Sequence, residues 1–132
     1  MKNSTIKKTT NPLHRLGFHY AWAGIHHAFT QHPNFQIHAF VSLVVFLLAI
    51  ILELSAFKLT MLIFAVTLGL VVEMFNTAIE AIVDMITQDW NYNAKIAKDV
   101  AAGAMLITAI GTAIIGALLL GPEIMKLLEI NN

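Results

Sequence analysis

Residues 71–84 read VVEMFNTAIEAIVD. The stretch is apolar enough for a helix in lipid, yet Glu73, Asn76, Glu80 and Asp84 interrupt it. At about 100° per residue these four fall near 0°, 300°, 340° and 20°, so they form a single stripe along one face. A charged group deep in a bilayer costs at least about 2.5 to 3.5 kcal/mol, and stacked carboxylates repel one another. The stripe therefore needs a compensating partner.

The rest of the chain says that the solvent is lipid. Of 132 residues, 58% are hydrophobic and 12% charged, with a mean hydropathy of +0.72. That is more apolar surface than a soluble domain of this length can bury, and the length suits one domain. Three long apolar stretches, 37–54, 57–83 and 100–120, predict transmembrane helices, because a span takes about 20 residues. The first is short and reaches across with His38 and Glu53 at its two ends. Ser55 is expected to cap the second helix and Asn93 the third, which Gly121-Pro122 should end.

Ahead of the spans, a basic tail over 1–11 leads into Asn11-Pro12, a helix-start signal. Over 12–31, Phe18, Trp22, Ile25 and Phe29 keep to one helical face while Arg15, His19 and His26 keep to another. The spacing predicts an amphipathic helix on the membrane surface, ended before Pro33. The fold class is thus all-α: a surface helix plus three transmembrane helices. Ala104, Thr108, Thr112 and Gly116 place small residues at four-residue spacing on the third span, a pattern that lets helices approach closely in lipid.

Charge sets the orientation. The formal net charge is zero, but Lys2, Lys7, Lys8 and Arg15 all precede the first acidic residue, Glu53. Lys95 and Lys98 add to the second connection, whereas the first connection has only Lys58 and the tail only Lys126. The positive-inside rule places the N-terminus, the surface helix and the second connection in the cytoplasm. The apolar face of the surface helix makes the basic arm a membrane-surface signal rather than a nucleic-acid site. With no cysteine, thiolate metal sites and disulfides are excluded.

Lys98 and Asp99 begin the third span at the depth of the stripe's lower end. Carboxylates, a nearby lysine and a hard divalent ion such as Mg²⁺ together make a nucleotide site, since Mg²⁺ binds one or two carboxylates plus substrate phosphates. There is no GxxxxGK[ST] loop, so phosphate chemistry would have to be built from helical side chains. The rival reading is a non-enzymatic membrane oligomer, proton-conducting or scaffolding. A proton path needs the acids alone; Lys98 and Asp99 at the same depth favour the nucleotide site. His19, His26, His27 and His32 crowd one segment, but His27 leaves the face that His19 and His26 share, which favours headgroup contact over zinc.

VVEMFNTAIEAIVD and AKIAKDVAAGA (94–104), with FHYAWAGI (18–25) and NFQIH (34–38) upstream, resemble the signatures of the small prokaryotic diacylglycerol kinase and undecaprenol kinase family. The resemblance implies a homotrimer in the bacterial inner membrane, with active sites shared between subunits. There the γ-phosphate of ATP, with Mg²⁺ as cofactor, passes to a lipid alcohol, undecaprenol or diacylglycerol. By motif, Glu73 would be the general base and also a metal ligand, Glu80 a metal ligand, and Asn76 a support for the phosphates or their metal. Lys98 and Asp99 would bind the nucleotide, with Tyr20, Trp22 and Arg15 near it, and Asp84 would be structural. At His32 many members carry a metal-binding glutamate, so that either His32 or Gln31 substitutes or the metal has fewer protein ligands. Ala23 stands where a lysine is frequent, and Asp89-Trp90-Asn91-Tyr92 replaces an acidic-Tyr-His loop. AKIAKDVAAGA leans toward the undecaprenol kinase branch, while nothing in the apolar spans reads out a tail length.

Overall fold

Backbone polar groups in lipid must bond within their own segment, which leaves helices as the structure for long apolar stretches. A computed structural model describes residues 17–130 and has four helices and no strand among them: α1 (Phe18–Gln31), α2 (Pro33–Ile51), α3 (Ala56–Ile86) and α4 (Tyr92–Ile130). The basic tail, the Asn11-Pro12 start signal and Arg15 lie outside the described residues. Helices α2, α3 and α4 are each long and apolar enough to cross a membrane. α3 is the central element, packing against α2 on one side and more extensively against α4 on the other.

The α1–α2 corner is made by Pro33. The residue before a proline is pushed out of the α region, and His32 takes φ −116°, ψ 103°. His32 thereby ends α1 and begins α2, with Pro33 in the first turn of α2, four residues before the expected start of the span. The Gln36 Nε2 donates to the freed carbonyl of Phe29 at 2.9 Å, and the rings of Phe29 and Phe35 meet edge to face. Phe18, Trp22, Ile25 and Phe29 remain exposed along α1, the apolar face that the sequence predicted.

The link from α2 to α3 is a tight helix ending. The Glu53 amide donates to the Ile50 carbonyl and the Leu54 amide to that of Ala49, both at 3.1 Å. This is a Schellman arrangement, with Glu53 in the left-handed region at φ 50°. Leu54 packs back onto the buried cluster of Ala49, Leu62 and Leu120. Ser55 occupies the N-cap position of α3, but its side chain makes no cap bond there.

Two expectations for α4 are corrected. Asn91, not Asn93, caps it: the Asn91 Oδ1 accepts from the amides of Asn93 and Ala94 at 2.9 and 3.1 Å. Nor does the helix stop at Gly121-Pro122; it continues to Ile130 with Pro122 inside. The proline leaves the carbonyl of Leu118 without its usual donor. The extension is held nonetheless, because Glu123 pairs with Lys58 of α3 at 2.6 Å and with Lys126 of its own helix at 3.1 Å.

The small residues of α4 do not act as one stripe. Thr112 Oγ1 bonds across to the carbonyl of Ala65 at 3.3 Å and lies 3.7 Å from where a Cβ on Gly69 would sit, marking the close α3–α4 approach. Thr108 bonds instead to Ala104 in its own helix, and Ala104 is exposed.

Candidate active site

α3 has 31 residues, about 46 Å at 1.5 Å per residue, against about 30 Å for the hydrocarbon layer. Glu73 lies about 25 Å from its Ala56 end, close to the opposite face of the bilayer. There the polar stripe is buried: Glu73 is 2% exposed and Asn76 5%, with Thr77 beside them also buried. Glu80 is half-buried and Asp84 exposed, so the stripe runs from a dry upper end to a wet lower one.

The two buried members are incompletely satisfied. Asn76 Nδ2 donates to Glu80 Oε1 at 3.2 Å, while Glu73 Oε2 and Asn76 Oδ1 have no hydrogen-bond partner. An unpaired buried polar atom costs about 1 to 3 kcal/mol. Both orphans are oxygen acceptors, so the site lacks a proton donor or a cation. His38 on α2 lines the same apolar groove as Gly69, which lies one turn from Glu73 on α3. His38 and Thr77 were missed as site residues in the sequence. Thr77 could have been found from its place four residues after Glu73, but His38 enters only through the packing of α2 on α3.

Lower down, Lys98 Nζ donates to Asp84 Oδ1 at 2.5 Å. Asp99, expected opposite the stripe, turns to Lys95 in its own helix. These two ion pairs line a cavity of about 550 Å³, together with Gln88, Asp89, Trp90 and Asn91 of the connection. Tyr20 and Trp22 are exposed on α1 and do not line this cavity. Arg15 lies outside the described residues.

The oxygen donors of the stripe bear on whether the chain can hold Mg²⁺. Among the described residues no three of His, Asp and Glu gather as a metal-binding group, so Glu73, Glu80 and His32 do not form a closed site in one chain. What the chain offers is two carboxylates and the free amide oxygen of Asn76. Hard oxygen donors in a small number, completed by phosphates, fit Mg²⁺.

Three apolar spans and a carboxylate stripe that runs from a buried end at Glu73 to a charged cavity at Asp84 define a small multi-pass helical membrane protein. A family model described as "Prokaryotic diacylglycerol kinase" matches residues 19–120, and the chain belongs to that family. It is similar to a diacylglycerol kinase of Synechocystis, 41% identical over 114 residues, covering 86% of this chain and 65% of that protein. It is also 38% identical over 121 residues to an undecaprenol kinase of Bacillus subtilis, covering 89% of this chain and 98% of that one. A diacylglycerol kinase of Escherichia coli is 33% identical over 101 residues, or 76% and 83% of the two chains. No finding favours a non-enzymatic oligomer.

Proposed function

We propose that this chain is an ATP-dependent lipid kinase of the bacterial inner membrane that moves the γ-phosphate of ATP onto the hydroxyl of a lipid alcohol. The observation that carries the reading is the unpaired Glu73 Oε2, an acceptor buried at the bilayer edge where a lipid hydroxyl would arrive. In this reading Glu73 accepts the proton of that hydroxyl as its oxygen bonds to the γ-phosphorus. The bond from phosphorus to the bridging oxygen breaks, and ADP leaves with the electron pair. Such transfer asks mainly for positioning and charge neutralisation, and a positioned base adds about 10² to 10⁴ in rate.

Glu80, Asn76 and Glu73 would hold Mg²⁺, which supplies neutralisation of charge on the phosphates. Lys98, held by Asp84, would meet the phosphates at the mouth of the cavity, with Asp99 beside it. Tyr20, Trp22 and Arg15 of the surface helix would approach a nucleotide from the membrane side, and His32 would replace the usual glutamate as a neighbour of the site. A homotrimer with shared sites accounts for the unpaired atoms of a single chain and for Tyr20 and Trp22 standing away from that chain's own cavity. The basic arm and the Lys95–Lys98 connection support a cytoplasmic N-terminus.

The test is transfer of labelled γ-phosphate from MgATP to diacylglycerol and to undecaprenol by the purified protein, with Glu73→Gln as control. Transfer that is lost in the control, with the oligomer intact, supports the reading. Full activity of Glu73→Gln removes Glu73 as base.

A further inference from the structure

On a straight helix His27 leaves the face that His19 and His26 share. The α1–α2 corner gives it another neighbour. Pro33 turns the chain out of the α region at His32, and the turn brings the His32 ring against His27, with ring centres 5.5 Å apart and planes at 63°. His27 is exposed and His32 half-buried. The corner around them is held from two sides, by the Gln36 bond to the Phe29 carbonyl and by the edge-to-face rings of Phe29 and Phe35.

The separation is that of two imidazoles on one metal ion. A zinc ion bonded to a ring nitrogen at about 2.0 to 2.1 Å lies about 3.2 Å from the ring centre, so two rings on a tetrahedral ion have centres about 5.2 Å apart. The observed 5.5 Å widens the angle at the metal only to about 118°. The edge-to-face attitude of the rings does not oppose this, because the second torsion of histidine is broad and the exposed His27 ring is free to turn. Such a turn aims a nitrogen at the ion and leaves the packed corner as it is.

Donor chemistry says which ion. Among the described residues no third histidine and no carboxylate completes a group of three with the pair. The protein donors are therefore nitrogen alone, with the remaining positions left to water. Imidazole suits zinc, nickel and copper, whereas magnesium asks for oxygen. The pair thus differs in chemistry from the carboxylate and amide oxygens of the stripe.

We infer that His27 and His32 form a second metal site, for a borderline divalent ion of the zinc type, that fastens the end of the surface helix to the start of the first span. With two protein ligands its affinity falls in the micromolar range, weaker than that of a closed four-ligand site. The inference stands apart from the lipid kinase reading, since it needs neither ATP nor a lipid.

The experiment titrates the full chain in detergent, free of any affinity tag, with Zn²⁺ in a large excess of Mg²⁺, followed by calorimetry and by thermal unfolding. About one Zn²⁺ per chain should bind and raise the thermal midpoint. His27→Ala and His32→Ala should each weaken binding about tenfold or more, and His19→Ala and His26→Ala should leave it unchanged. An unaltered metal-free midpoint in His27→Ala reports that the fold is kept. A second reading needs no variant: wild type loaded with one equivalent of Cu²⁺ should show coupling to two imidazole nitrogens by electron paramagnetic resonance. Absence of binding, displacement of Zn²⁺ by Mg²⁺, affinity untouched by His27→Ala or His32→Ala, or a copper spectrum with any other nitrogen count would overturn the site. Equal losses in His19→Ala and His26→Ala would also overturn it, placing the metal on the polar face of α1.

Discussion

Lys98 Nζ donates to Asp84 Oδ1 at 2.5 Å, joining the first turns of α4 to the foot of the acidic stripe on α3. Both side chains are partly exposed, so the pair adds little to stability, about 1 kcal/mol or less. Its effect is to fix where the lysine head points. Asp84→Asn should raise the KM for ATP about two- to fivefold with little change in kcat or in thermal midpoint, and Asp84→Glu should recover most of the loss. An unchanged KM in Asp84→Asn would separate the pair from nucleotide binding.

Glu73 combines near-complete burial with an unpaired oxygen. Replacing an unsatisfied buried polar group by an apolar one of similar size is neutral to stabilising. Without Mg²⁺ or ATP, Glu73→Met should resist unfolding better than wild type, by about 1 to 3 kcal/mol, while losing transfer altogether. Denaturant titration beside the transfer assay reads both. A destabilised Glu73→Met would mean that the carboxylate is satisfied in the assembled protein.

Glu80 accepts from Asn76 and is the second carboxylate of the proposed Mg²⁺ site. Glu80→Ala should shift the Mg²⁺ dependence of the rate to much higher concentration, about tenfold or more, or abolish turnover. The Mg²⁺ titration at fixed ATP is the check, and an unchanged curve would count against Glu80 as a ligand.

Glu53 sits at φ 50° in the α2–α3 link, where a side chain costs about 1 to 2 kcal/mol and glycine costs nothing steric. Glu53→Gly should therefore raise stability by about 1 kcal/mol, less the greater freedom of glycine in the unfolded chain. Thermal unfolding in detergent would show it, with kinase activity unaltered because the link is at the far end of α3 from Glu73.

The Lys58–Glu123 pair holds α4 against α3 just beyond Pro122. Glu123→Ala should lower the thermal midpoint by a few degrees and speed proteolysis after Pro122, with the KM for ATP unmoved. An unchanged proteolysis pattern would show that the extension is held by its apolar contacts alone.

Much of this protein was legible in its residues because the governing rules are local. Glu73, Asn76, Glu80 and Asp84 share a face whatever the neighbouring helices do, since 3.6 residues per turn puts them there. The three spans follow from apolar length, and the α1–α2 corner follows from Pro33. Asp99 shows where such reading stops: its position beside Lys98 suggested the stripe as partner, but an (i, i+4) lysine on its own helix competes and takes it. Pro122 misled in the opposite direction, because a rule for helix ends in water ignored the ion pair between Glu123 and Lys58, 65 positions apart in the chain.

The sequence by itself determined the helical class, the number of spans and the line of acids, because each depends on periodicity and on the need of lipid-exposed backbone to bond internally. Only the tertiary structure decided that His38 and Gly69 line one apolar groove between α2 and α4 and that Lys98 answers Asp84. Those relations depend on the tilt and rotation of whole helices against one another, which side-chain packing sets and no single helix's periodicity contains.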